Sequence, residues 1–176
     1  MNKTNKSMMA AGLLVSVISI MAILLAPQMM DQVAARKEAE PFLVLMRQGD
    51  LKEACIASRG LRFVTRTNVV TGIVSDSVIE RLPDFKPLSP KAAAMVQREI
   101  IRQLPEENDE GRLSGVFGAL MHFYEHGTLA LQDADWKVVE AAMERYNAQE
   151  KPRTPFFVDT DSDGKKRVSF SGFRMN

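Results

Sequence analysis

Five consecutive residues, His122-Phe123-Tyr124-Glu125-His126, contain both histidines of the chain and match the H-x-x-E-H order of inverted zinc peptidases. Histidines four apart share a helix face and can ligate one metal ion, while the glutamate can activate a bound water. A small metal-dependent hydrolase using His122, Glu125 and His126 is therefore one functional expectation. Two points weigh against it. A third protein ligand must come from elsewhere, with Glu140 and Glu144 only generic candidates, and a peptidase cleft needs more chain than this domain supplies.

Helix geometry adds a third point. At about 100° per residue, Leu113, Val116, Phe117, Leu120, Met121 and Tyr124 gather on one side. His122 and His126 fall opposite, beside Gly115, Gly118 and Ala119, away from the main apolar face. At a helix end, an imidazolium at His126 would also meet the negative pole of the helix dipole. Surface, capping or partner-contact roles are the ordinary reading of both histidines. Gly115, Gly118 and Ala119 weaken a helix unless close approach by another element compensates. They are candidate partner-contact residues, with a solvated face as the competing reading.

A second constellation is Asp159-Thr160-Asp161-Ser162-Asp163-Gly164, the first half of an EF-hand loop. Asp159, Asp161 and Asp163 can converge on calcium, and the glycine permits a sharp turn. The twelfth position should be a bidentate glutamate, but here it is Phe170, and the exit reads as strand. A calcium-independent acidic turn is the better account, with weak calcium binding as the alternative. No phosphate loop, nucleophile elbow, Ser/His/Asp set or cofactor fingerprint is present, and no cofactor is expected. The single cysteine, Cys55, permits no intrachain disulfide and reads as a small buried hydrophobe.

The elements that must position these residues begin with an apolar segment. Ser7 to Met30 is 24 residues without a charge, bounded by Lys6 and Asp31. Its densest part, Met8 to Ala26, has 19 residues, enough at about 1.5 Å each to span a hydrocarbon layer of roughly 30 Å. A helix there satisfies its own backbone groups. The run is too long for the apolar region of a cleaved signal peptide, although Val33-Ala34-Ala35 resembles a cleavage site. An uncleaved, single-pass signal anchor over 1–30 is expected, in the inner (plasma) membrane. Basic residues before and after the span differ little, but so short a head favours an extracytoplasmic C-terminal domain.

Residues 31–40 read as a helical stalk and 41–176 as a small α+β domain, helix-dominated, with about five helices and one or two β-hairpins. Pro41 suits the first turn of a new helix, Gly49 its end, and Asp50 the cap of a second helix closed by Gly60. Leu61 to Ser75 reads as two short strands, Arg62–Arg66 and Val69–Val74, around Thr67-Asn68. Ser89-Pro90 starts a helix reaching about Leu104. Further helices run from about Glu110 to His126, and from Asp133 or Asp135 to about Asn147. Thr154 to Met175 reads as a hairpin turning at Asp161–Gly164.

Charge excludes one class of partner. Lys3 and Lys6 stand in residues 1–30 with no acid, so of 23 basic and 22 acidic residues, 21 and 22 follow, a formal charge of −1. Only Lys165-Lys166-Arg167 forms a basic run, and nucleic acid is not an expected partner. The expected partners are the lipid bilayer and proteins of a membrane complex. The leading expectation is a membrane-anchored, non-catalytic accessory or interaction subunit, ahead of the hydrolase and of a ligand-binding or sensory extracytoplasmic domain.

Overall fold

Glycine and N-cap residues punctuate the chain, and the element ends follow from them. The computed structural model describes residues 26–67, 74–149 and 155–171. The fold is helix-dominated α+β, with five helices and two small hairpins. Two compact units divide the chain, Met1–Lys37 and Glu38–Asn176. In the first, residues 26–37 are helical, and Met29, Met30 and Val33 are exposed. The apolar run assigned above to the bilayer lies mostly outside the described residues. Among the described residues, no helix is long and apolar enough to cross a membrane.

Helix α1 covers 26–47, and its residues 38–47 open the second unit. Pro41 therefore lies within a helix, not at the first turn expected from the sequence. Its position is exposed, where one missing N–H is tolerated better than in a core. Gly49, at φ +89°, ends the helix. Its N–H reaches the Met46 carbonyl at 3.2 Å, and the Asp50 N–H reaches Leu45 at 2.9 Å, a left-handed closure that glycine adopts without a Cβ penalty. Helix α2 (Leu51–Ala57) follows, burying Leu51, Ala54, Cys55 and Ile56.

Strands β1 (Leu61–Thr67) and β2 (Val74–Arg81) pair antiparallel, from Leu61 opposite Arg81 to Thr67 opposite Val74. The ladder shifts register between Val64 and Arg66. The strand expected at Val69–Val74 falls, apart from Val74, on residues 68–73, which lie outside the described set, and the described strand continues to Arg81. Ser75-Asp76-Ser77 carries turn-forming residue types, and the ladder is irregular there: Ser75 pairs with Arg66 and Val78 with Val64, with no partner registered for the two residues between.

Helix α3 (Pro90–Gln103) starts as its capping chemistry dictates. The Ser89 Oγ accepts from the Ala92 N–H at 3.4 Å. Glu38 fixes the cap residue, accepting from the Ser89 N–H at 2.8 Å and its hydroxyl at 2.6 Å. After a 3-10 turn at Leu104–Glu106, helix α4 (Glu110–Glu125) begins at Asp109, whose Oδ1 accepts from the Arg112 N–H at 2.8 Å. It ends at Gly127, φ +65°, with the Gly127 N–H on Tyr124 and the Thr128 N–H on Phe123. Helix α5 spans Asp133–Asn147. Strands β3 (Phe156–Thr160) and β4 (Lys166–Phe170) then form the second hairpin, around the expected Asp-rich turn.

The core centres on α4, which buries Leu113, Gly115, Val116, Phe117, Ala119, Leu120 and Phe123. A helix covered on so much of its circumference is a central helix, not an amphipathic one. Phe117 sits 5.7 Å from the Tyr146 ring of α5 and 5.0 Å from the Phe156 ring of β3, and those two rings are 5.4 Å apart. Asn147 brackets the Phe156 backbone, donating to its carbonyl at 2.7 Å and accepting from its N–H at 3.2 Å. The Phe156 ring and the Asn147 amide thus help to seat the β3–β4 hairpin on α4 and α5.

Gln97, with 2% of its surface exposed, is the other buried anchor. From α3 it donates to the Thr128 carbonyl at 2.8 Å and accepts from the Ala130 N–H at 2.9 Å. Both amide atoms have partners, which offsets the cost of burying them. The connection between α4 and α5 is thereby held from α3.

Candidate functional site

The last turn of α4 brings His122 and His126 together, with ring centroids 4.3 Å apart. This is the contact that i, i+4 spacing dictates. His122 is half-buried, with the Phe85 ring at 6.2 Å, whereas Glu125 and His126 are exposed. Arg59 completes the cluster. A Cβ placed on Gly118 would stand 2.6 Å from Arg59 Nη1 and 3.2 Å from its Cζ, so the guanidinium lies directly over that glycine. Burial lowers the Arg59 pKa, while the charge of Glu125 raises it. Glu125 thus serves as a charge partner of Arg59.

Burial is also the main reason the His122 pKa falls from its ordinary 6.5 to about 4, reinforced by His126, Arg59 and Arg81. At neutral pH this imidazole is uncharged. A base of that strength is poorly matched to proton abstraction near pH 7. A dication beside Arg59 and Arg81 would also meet like charge. Among the described residues, no group of three or more His, Cys, Asp or Glu side chains is assembled to hold a metal ion. His122 and His126 are brought together; Glu140, the generic third ligand, instead pairs with Lys166 at 3.4 Å.

The depressed value has a consequence for stability. Between about pH 6.5 and 4 the unfolded chain binds a proton at this position that the folded chain excludes. The contribution of neutral His122 is intact above pH 6.5 and is lost progressively as the pH falls toward 4. Replacing His122 by Gln should flatten the decline of the urea midpoint across that window. An unchanged decline would remove His122 as its source.

The acidic turn is organised by its own backbone. Asp161 Oδ1 accepts the Asp163 and Lys165 N–H groups at 2.9 and 2.8 Å, and the Asp161 N–H donates to the Lys165 carbonyl at 3.0 Å. The Tyr124 hydroxyl donates to the other Asp161 oxygen. These hydrogen bonds, that of Tyr124 first, hold the Asp161 carboxyl below the usual range. Asp159 accepts from Arg167 at 2.9 Å, and that guanidinium is the main cause of its own lowered pKa. Asp163 is exposed at the turn. The arrangement is an Asx-stabilised hairpin turn, in which Asp159 and Asp161 are engaged by donors of the chain itself.

No family model matches this chain, and no curated protein or solved structure matches it either. The geometry alone therefore assigns roles to the remaining candidates.

Of the three small residues, Gly115 and Ala119 are buried and Gly118 is half-buried. A Cβ on Gly115 would sit 3.6 Å from Lys52 Cγ, 3.7 Å from its Cα and 3.8 Å from Cys55 Cβ. Close approach along this strip is made by α2 of the same chain, with Arg59 continuing the contact over Gly118. The solvated alternative does not hold for these positions. Cys55 lies in that interface, and burial pushes its thiol up to about 12, which leaves it unreactive near neutral pH.

Sequence reasoning missed Arg59, Phe85 and Gln97. Gly118 was a signal for the first, since a glycine inside a helix implies a close neighbour, but it does not name which. Gln97 interrupts the stripe of Ala93, Val96 and Ile100, and a polar residue at a core position is the mark of a buried hydrogen bond.

Proposed function

We propose that this chain is a membrane-anchored, non-catalytic accessory or interaction subunit. Residues 7–30 hold it in the inner membrane, and its C-terminal domain faces the extracytoplasmic side, where it binds proteins or braces a larger membrane complex. The observation that carries this reading is the uncharged run from Ser7 to Met30. At roughly 25 cal/mol per Å2 of apolar surface removed from water, such a run favours lipid strongly.

Two features of the domain support a binding role over a chemical one. The imidazole best placed for acid–base work is held near a pKa of 4, and the aspartates of the calcium-like loop hold a turn. The side chains that carry chemistry are thus committed to local structure.

Affinity purification of the full chain at native expression, in a mild nonionic detergent, tests the proposal. It should leave the membrane fraction only with detergent and bring other membrane proteins with it in fixed ratio. Recovery as a lone monomer from the aqueous fraction would overturn the reading.

A further inference from the structure

The face of α4 that begins at Gly118 carries His122 one turn later and His126 a turn after that. Arg59, which follows α2, lies over the start of this strip, its Nη1 2.6 Å from where a Gly118 Cβ would stand. Arg81 is the last residue of β2. The charges that act on His122 are all basic, those of His126, Arg59 and Arg81. Two guanidinium groups and two imidazoles therefore gather from three elements, with the Phe85 ring 6.2 Å from His122 on one side.

Arg59 is the anomaly in this group. Exposed arginines elsewhere, such as Arg47, Arg102 and Arg112, each close an ion pair with a carboxylate. Arg59 is half-buried, and burial penalises its charge. Yet among the described residues no carboxylate or carbonyl accepts from its guanidinium, and Glu125 acts on it without closing an ion pair. Nor is Arg59 a helix cap. Gly118 stands two turns before the end of α4, outside the last turn in which the dipole acts. The carbonyls of His122, Phe123 and Tyr124 are taken by the N–H groups of His126, Thr128 and Gly127. A partly desolvated cation needs acceptors and a counter-charge. None of the guanidinium nitrogens is sealed from solvent, so both can come from outside the chain.

The geometry points to Arg59, Arg81 and His126 as the donors of an oxyanion site, one that takes a phosphate group against the Gly118 strip of α4. Phosphate is favoured over carboxylate by the directions of the donors. They come from the end of α2, the end of β2 and the last turn of α4, and meeting all three takes more acceptor oxygens than the two of a carboxylate. The missing side chain at Gly118 is what admits the guanidinium. The inference goes beyond the anchored-subunit reading and does not depend on it. The phosphate can belong to a soluble ion or to a lipid headgroup, and the test separates the two.

Both histidines of the chain stand in this cluster, so their imidazole NMR signals report on it alone. The full chain in nonionic micelles at neutral pH, with ionic strength held constant by NaCl, is titrated with inorganic phosphate. In a second arm the micelles are doped with phosphatidic acid, or with diacylglycerol as the phosphate-free control. A saturable shift of the imidazole signals is expected. Arg59→Gln should weaken it about tenfold, the loss of one hydrogen bond to a charged group. Gly118→Ala should also weaken it, by displacing the end of a flexible side chain, without lowering the melting temperature, since alanine favours a helix. Glu125→Gln removes a competing charge and should tighten binding about twofold. Arg102→Gln removes equal charge from α3 and should change nothing.

No saturable shift from either source, up to about 50 mM phosphate where even millimolar affinity is visible, overturns the assignment. So does an equal response in Arg59→Gln and the parent chain, which is an adventitious ion only, or an equal loss in Arg102→Gln. Saturation by inorganic phosphate supports a soluble ligand, and saturation by phosphatidic acid alone supports a headgroup. The two proposals fail separately. Partners that co-purify while phosphate is ignored remove only the oxyanion site, and phosphate binding by a lone soluble monomer removes only the anchored-subunit reading.

Discussion

Replacing Phe117 by Ala should lower the stability of the domain by about 3–5 kcal/mol, the range for deleting a fully buried phenylalanine. Its ring has no exposed surface and packs against Tyr146 at 5.7 Å and Phe156 at 5.0 Å. Removal takes away the buried surface of the ring and leaves a cavity that three elements border, none free to collapse into it. A domain of this size has about 5–15 kcal/mol in total, so the variant should unfold at a much lower urea midpoint. Phe117→Leu keeps most of the volume and should cost under about 1.5 kcal/mol. Hydrogen exchange adds a local reading, since β3 and β4 should lose protection before α3 does. A loss under about 1.5 kcal/mol for the alanine variant would mean that the three rings do not form one packed unit.

The second large effect is expected at Gly60, which joins α2 to β1. It sits at φ +72°, and a Cβ there would lie 2.9 Å from Phe85 Cβ and nearer still to the Phe85 ring. Its carbonyl accepts the Leu82 N–H at 2.7 Å, which pins the chain against moving away. Gly60→Ala therefore combines about 1 kcal/mol of left-handed backbone strain with overpacking, typically about 1–3 kcal/mol. A total of about 2–4 kcal/mol is expected. Gly49 separates the two contributions. At φ +89° it has nothing within 4 Å of its Cβ position, so Gly49→Ala should show the backbone cost alone. In a double-mutant cycle with Phe85→Ala, the Gly60→Ala cost should shrink toward that of Gly49→Ala. Purely additive losses would show that Phe85 is not the obstacle. Phe85 also lies beside His122, so the same substitution should move the imidazole pKa, measured by NMR titration, back toward its ordinary value.

The parts of this molecule that were legible in advance are those decided within a few residues. Ser89-Pro90 begins α3, Gly127 ends α4, and the Asp161–Gly164 turn joins β3 to β4, because capping and turn chemistry depend on adjacent side chains and backbone groups. Pairing partners are not decided at that range. The strand β2 that pairs with β1 runs on to Arg81, beyond the Val74 at which the sequence pattern ends it.

The candidate site divides in the same way. That His122 and His126 would share a helix face followed from their spacing, and so did their separation from Leu113, Val116 and Phe117. Whether the strip of Gly115, Gly118 and Ala119 would meet water or protein did not follow. Burial depends on what the rest of the chain lays over a face, and here it lays α2 and Arg59.

By itself, the order of amino acids determined the helical period, the ends set by caps and glycines such as Ser89, Gly49 and Gly127, and the charge-free run from Ser7 to Met30, all of which are properties of neighbours along the chain. Only the tertiary structure decided that the Asp-rich turn would lean on Tyr124 and that Gln97 would hold a loop of distant residues. The physical reason is that hydrogen bonds, burial and local charge act through space, between groups brought close by packing at whatever sequence separation the fold imposes.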